Sequence, residues 1–239
     1  MMRFSRTVLL LALSLAAGAR AVAAQTIPSP YEYIEQTQAT GLFAGFLFMD
    51  PDVGTTDSTS LPLGPRSGPV FGVRYQVRAS GPLSIEGSIG ISPTDRRLFG
   101  SELNADSTFT EPVDLETTVP TTVLMADVGL TFHLTGPRTW NGLAPFVGAG
   151  GGVVGDVQGH QGEEADIPDA ALFRFGPSFA VGARLGTDWF PTSNASIRVE
   201  AQGRLWRIST PSGFLPSRSD ERSEWNPVVG ISVGGALHF

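Results

Sequence analysis

Six segments of the chain alternate apolar with small or polar residues at a period of two. Phe71, Val73, Tyr75 and Val77 are separated by Gly72, Arg74 and Gln76. Leu83, Ile85, Ile89 and Ile91 alternate with Ser84, Glu86, Ser88 and Gly90. Leu124, Ala126, Val128, Leu130, Phe132 and Leu134 alternate with Met125, Asp127, Gly129, Thr131 and His133. Phe179, Val181, Ala183 and Leu185 enclose Ala180, Gly182 and Arg184, and Ile197, Val199, Ala201 and Leu205 enclose Arg198, Glu200, Gln202 and Arg204. The last segment runs Val229, Ile231, Val233, Leu237 and Phe239 against Gly230, Ser232, Gly234, Ala236 and His238. This period belongs to a β-strand with one apolar face. Gly41–Met49 and Ala144–Val154 add two strands whose faces the pattern leaves ambiguous. Each of the eight is about nine residues or longer, the length a tilted strand needs to cross a membrane.

The connections alternate as well. Ala79–Gly81, Gly136–Gly142 and Pro191–Asn194 are short. Asp50–Ser67, Pro93–Pro120, Gly155–Ala171 and Ser209–Glu224 are long, polar and rich in Gly, Pro, Ser and Thr. In a closed antiparallel barrel such alternation puts every short turn at one rim and every long loop at the other. A soluble sandwich has no reason to keep it. The pattern therefore predicts an all-β, eight-stranded antiparallel up-and-down transmembrane β-barrel, with short periplasmic turns and long extracellular loops. Within Pro93–Pro120, Ser107–Thr110 and Thr117–Thr118 are candidates for strand extensions above the membrane.

Two hairpins can be set in register. A three-residue turn at Ala79–Gly81 puts Val77 opposite Leu83, Tyr75 opposite Ile85 and Arg74 opposite Glu86. A turn centred near Thr192 puts Leu185 opposite Val199 and Arg184 opposite Glu200, with Asp188 diagonal to Arg198. The charges thus fall on the inward face. An unpaired charge in a narrow lumen is costly, so each needs a partner. The expected interior ion pairs are drawn from Arg74, Glu86, Asp127, Arg184, Asp188, Arg198, Glu200 and Arg204, with Arg78 beside them. An eight-stranded barrel is just wide enough for side chains to fill, and these residues read as a plug.

Composition sharpens the picture. The 239 residues include 29 Gly, 18 Pro and no Cys, and only 16 % are charged, against about 25 % in ordinary soluble domains. Without Cys there is no disulfide framework, thiolate metal site or Cys nucleophile. All 16 basic residues are Arg against 23 acidic residues, so nucleic acid is not an expected partner. Residues 1–24 read as a secretory signal: Arg3 and Arg6, then apolar Val8–Ala17, then the small residues Val22-Ala23-Ala24. Cleavage before Gln25, with Ala23 as an alternative end, leaves 13 Arg against 23 acidic residues, a net charge of −10. Residues 25–39 would form an N-terminal periplasmic lead-in and 40–239 the barrel.

Aromatics fall near the expected rims: Trp140, Trp189, Phe190 and Phe239 at the short turns, Trp206 and Trp225 beside the last long loop. Two aromatic girdles suit a membrane barrel. The chain closes on Ser232-Val233-Gly234-Gly235-Ala236-Leu237-His238-Phe239. This resembles the terminal β-signal of bacterial outer-membrane proteins, with Ser232, Gly234, Leu237 and Phe239 in its characteristic places. The chain after residue 24 is similar to small eight-stranded outer-membrane barrels of the OmpA-like transmembrane type, including a Gly-rich strand at Ala144–Val153. The resemblance implies recognition by the barrel-assembly machinery, outer-membrane lipid as surroundings and a bacterial outer-membrane location. No peptidoglycan-binding domain follows within the sequence, so a cell-wall tether is not implied.

Other motifs have plainer readings. Gly150–Gly155 satisfies G-x-G-x-x-G, but an acidic stretch follows where a nucleotide site needs a helix. His160, Glu163, Glu164, Asp166 and Asp169, and likewise Asp50, Asp52 and Asp57, read as solvated acidic loops and not as cation sites. His133 has no serine near it on its strand, and Ser232 is too far along the strand from His238 for contact. No cofactor, metal or catalytic residue is expected. The favoured function is a monomeric, non-enzymatic envelope barrel with a closed lumen and surface loops for an unidentified ligand. A small-solute pore is the alternative. A lipid-modifying enzyme and a secreted soluble binder come after it.

Overall fold

A computed structural model describes residues 29–56, 59–101, 112–157, 172–173, 175–209 and 223–239. Among them are twelve strands: β1 (Tyr31–Tyr33), β2 (Gln38–Met49), β3 (Val53–Thr56), β4 (Thr59–Leu61), β5 (Gly68–Ser80), β6 (Leu83–Ser101), β7 (Pro112–His133), β8 (Arg138–Trp140), β9 (Leu143–Asp156), β10 (Ser178–Thr192), β11 (Ala195–Ser209) and β12 (Ser223–His238). Eight of them close a ring in the order β2-β5-β6-β7-β9-β10-β11-β12 and back to β2, every pairing antiparallel. A closed ring leaves no strand edge unpaired.

The period-two pattern sets the two faces. Val73, Ile89, Val128, Leu185, Val199, Ile231 and Leu237 all stand outward, between 48 % and 64 % exposed. On the two strands whose faces were ambiguous, Leu42, Phe46, Phe48, Val147 and Val153 point out, while Leu47, Met49, Ala144, Phe146 and Val154 are buried inside. The crowded inner wall near β7 and β9 is built from glycine. A Cβ on Gly129 would lie 2.7 Å from the Ala149 carbonyl, and one on Gly150 would lie 2.5 Å from that of Val128.

Both expected registers are two residues out. Val77 pairs with Ile85 and Arg74 with Ser88, so Glu86 faces Gln76. Leu185 pairs with Ala201, Arg184 with Gln202 and Glu200 with Gly186, and Asp188 stands directly opposite Arg198. The cause is the same in both hairpins. The tight ends are Ser80↔Leu83 and Thr192↔Ala195, and a bulge follows on the first strand of each. Gly81, at φ +49°, takes the left-handed conformation that the first turn requires. The third short connection is not a plain turn, because it carries β8, which pairs with β1.

The long connections are partly structured. β6 and β7 stay paired from Pro93↔Thr122 up to Ser101↔Pro112, so most of Pro93–Pro120 is strand, Thr117–Thr118 included. Ser107–Thr110 lies outside the described residues. β5 pairs with β6 only as far as Ile91, and β9 with β7 only from Val123. Beyond those points the outer edges of β6 and β7 carry no wall ladder, which is where a strand tolerates proline. Asp50–Ser67 contains the β3–β4 hairpin and then turns inward, burying Leu63 at 1 % exposure.

Candidate functional site

Arg198 and Glu86 are the centre of the barrel interior. Inward positions on β5, β6, β10 and β11 bring their charges together because alternate residues of every wall strand face one lumen. Glu86, 2 % exposed, accepts from Arg184 Nη1 and Arg198 Nη1 at 2.6 Å each, with Arg74 Nη1 at 3.9 Å. Arg198 also donates through Nε and Nη2 to Asp188, at 2.6 and 2.9 Å, and through Nη2 to Gln76 at 2.9 Å. Glu200 Oε2 accepts from Arg74 Nη1 at 3.2 Å. Arg184 Nη2 donates to Thr131. The guanidiniums of Arg198 and Arg74 lie over the rings of Phe146 and Phe43, 4.4 and 4.9 Å from the centroids.

Arg204 and Asp127 form a separate pair at 2.8 Å, with Arg204 also bound to Gln202. Four guanidiniums thus stand against four carboxylates. Arg74 and Glu86 meet through the lumen and not across their strand pair; Arg184 finds Glu86 and not Glu200. Arg78 is apart from the network and donates to the Ile34 carbonyl at 2.6 Å. Cavities beside the network include a space of about 680 Å³ that Arg74 and Asp127 line together with the outward Val73, Ile89 and Val128, and two small ones of about 40 and 20 Å³, the first lined by Asp127, Arg184 and Arg204, the second by His133, Asp188 and His238. The two small spaces hold one to a few waters each.

A second layer fills the long-loop end. Leu47, Met49, Val70, Val123, Met125, Val154 and Val228 from the wall surround Trp206, which stacks on Phe175 at 5.6 Å. Leu63 and Phe99 close over them. Trp206 is 1 % exposed, so it belongs to this core and not to an aromatic girdle. The signal was present in the sequence: Trp206 shares the even numbering of Arg198, Glu200 and Arg204 on β11. Trp140, Trp189, Trp225 and Phe239 are outward and about half exposed.

The two strand-bound histidines have partners that reading along one strand missed. His133 Nε2 is 3.6 Å from Asp188 Oδ2. His238 Nε2 is 2.7 Å from Ser196 Oγ, across the β11–β12 pair. The cavities adjoining this pair measure about 10 and 20 Å³. Gly150–Gly155 is part of β9, paired on both sides. Asp50 and Asp52 are exposed or nearly so, while Asp57, His160, Glu163, Glu164, Asp166 and Asp169 lie outside the described residues. Ser232 is buried inside, and Leu237 and Phe239 point outward from the last strand.

A closed antiparallel ring with a charged interior and an apolar exterior defines a membrane-spanning β-barrel protein. Water would not tolerate the outer face, which presents a continuous belt of large apolar side chains without a charge among the outward positions named above. No family model matches the chain, and no curated protein matches it. Among the solved structures similar to it are three outer-membrane proteins. The outer membrane protein OprG from Pseudomonas aeruginosa is 14 % identical, covering 85 % of this chain and 97 % of that one, at a TM-score of 0.49. Neisserial surface protein A is 12 % identical, covering 88 % and 98 %, at 0.45. AlkL, in lipid bilayers, is 12 % identical, covering 85 % and 90 %, at 0.46. The class assignment rests on this chain's own hydrogen-bonded ring.

Proposed function

We propose that this chain is an integral bacterial outer-membrane protein with a closed lumen and no enzymatic activity. Residues 1–24 direct export and are removed before Gln25. The short turns then face the periplasm and the long loops face outward. Ser232, Gly234, Leu237 and Phe239 serve recognition by the barrel-assembly machinery. The barrel acts as a monomer that supports the envelope and holds its loops out for binding. One observation carries the closed-lumen reading: the Glu86–Arg198 network and the Trp206 layer occupy the interior one above the other. A small-solute pore would need those charges to line water instead of one another.

The test is single-channel conductance of the refolded protein in a planar bilayer. Wild type is expected to be silent. Glu86→Ala and Arg74→Ala are expected to be silent too, because the Trp206 layer stands in series with the network. Stable steps from wild type, enlarged by either substitution, would establish the pore instead.

A further inference from the structure

The ring is complete without residues 31–37, yet these residues lie across its short-turn mouth. β1 pairs with β8 through Tyr31↔Trp140, Glu32↔Thr139 and Tyr33↔Arg138, and Trp140 continues to Leu143 on β9. The chain then enters β2 at Gln38, which bonds to Phe239 at the end of β12. β2 and β9 are four strands apart in a ring of eight, so they stand on opposite sides. The segment between them must cross the mouth.

It is fastened on the way. Ile34 N donates to the Pro137 carbonyl at 3.0 Å, and the Ile34 carbonyl accepts from Arg78 Nη1 at 2.6 Å. Gln36 Nε2 donates to Asn194 at 3.0 Å, and Arg78 N to the Thr37 carbonyl at 2.7 Å. Ile34 is 7 % exposed, whereas Tyr33 and Glu35 beside it are exposed, so its side chain is turned to the lumen. Ile34, Gln36 and Thr37 floor the cavity of about 20 Å³ that His133, Asp188 and His238 also line.

We infer that residues 31–37 form a strap that seals the periplasmic mouth and can leave it without unfolding the barrel. The strap is held by a three-residue pairing, the backbone bonds of Ile34 and Thr37, the side-chain bonds from Arg78 and Gln36, and one buried apolar side chain. Each wall strand is held by long ladders on both sides. Segments with so few buried contacts open at a small fraction of the global unfolding free energy. Release would admit water to His133, Asp188 and His238 on the underside of the ion-pair network. The inference goes beyond the closed-lumen reading and stands whether or not that network conducts.

Two measurements test it. In native-state hydrogen exchange of the intact barrel in lipid, the Ile34 amide should exchange at least a hundredfold faster than the β9–β11 ladder amides. Equal protection would overturn the proposal, since the strap would then open only with the ring. Ser84→Cys supplies a single cysteine, buried and lining the same cavity. Its labelling by a water-soluble thiol reagent should be at least tenfold faster in a chain lacking residues 25–36, and also faster in full-length Arg78→Ala. Unchanged labelling in folded deletion protein, identified by heat-dependent gel mobility, would also overturn it. If the deletion does not fold, Arg78→Ala and the exchange data decide alone: no increase and equal protection count against the strap.

Discussion

Glu86 is in reach of three guanidiniums from three other strands while almost fully buried. Replacing it with Gln leaves Arg74, Arg184 and Arg198 to share Asp188 and Glu200. Breaking a buried pair in this way costs about 3–5 kcal/mol, because the charges left behind are uncompensated. Arg97 and Asp114 are closer to the ordinary surface case, at 2.9 Å and 45 % and 34 % exposed. Arg97→Ala should cost less than about 1 kcal/mol. Urea unfolding of both variants in lipid vesicles checks the contrast, and equal midpoints would show that the network contributes nothing special. Trp206 offers a second contrast at this scale. Trp206→Ala removes a buried ring stacked on Phe175 and should cost about 3–5 kcal/mol. Trp225→Ala removes a half-exposed ring and should cost markedly less in the same assay.

At the scale of the strand, faces were legible in the sequence and registers were not. A side chain's face depends only on whether its position is odd or even, and a register error of two residues leaves that unchanged. Hence parity alone turns Arg74, Glu86, Arg184 and Arg198 inward, while their cross-strand partners differ from the expected ones. The bulges just before Ser80 and just before Thr192 leave no compositional mark, so turn length alone misplaces both hairpins. Ser196 and His238 escaped for the same reason: their contact exists only across a strand pair. Pro93 and Pro120 both sit within paired strands, since a strand with one free edge does not need the missing donor. The wall itself makes a sharp prediction. Gly150→Val would drive a branched side chain onto the Val128 carbonyl, and folded barrel recovered from refolding should fall severely. Val128→Arg tests the opposite face: Val128 is 62 % exposed in mid-strand. A charge there should cost about 2–4 kcal/mol if lipid surrounds it, and near nothing if water does.

The whole molecule is inverted relative to a water-soluble domain, with ion pairs at its centre and aliphatic side chains around it. Its upper interior departs from that inversion, because Trp206, Phe175 and Leu63 form an ordinary apolar core inside the charged barrel. The four tryptophans report on both arrangements at once. Trp140 and Trp189 lie toward one rim and Trp225 toward the other, all outward, while Trp206 is sealed within. In single-tryptophan variants refolded into vesicles of brominated lipid, Trp140, Trp189 and Trp225 should lose most of their fluorescence. Trp206 should keep its fluorescence against the lipid quencher and against aqueous acrylamide alike, since neither phase reaches it. Acrylamide quenching of Trp206 would mean that water enters the upper lumen, and the series arrangement of two seals would fail. Lipid insensitivity of all four would place the apolar belt in water and remove the basis for a membrane-spanning barrel.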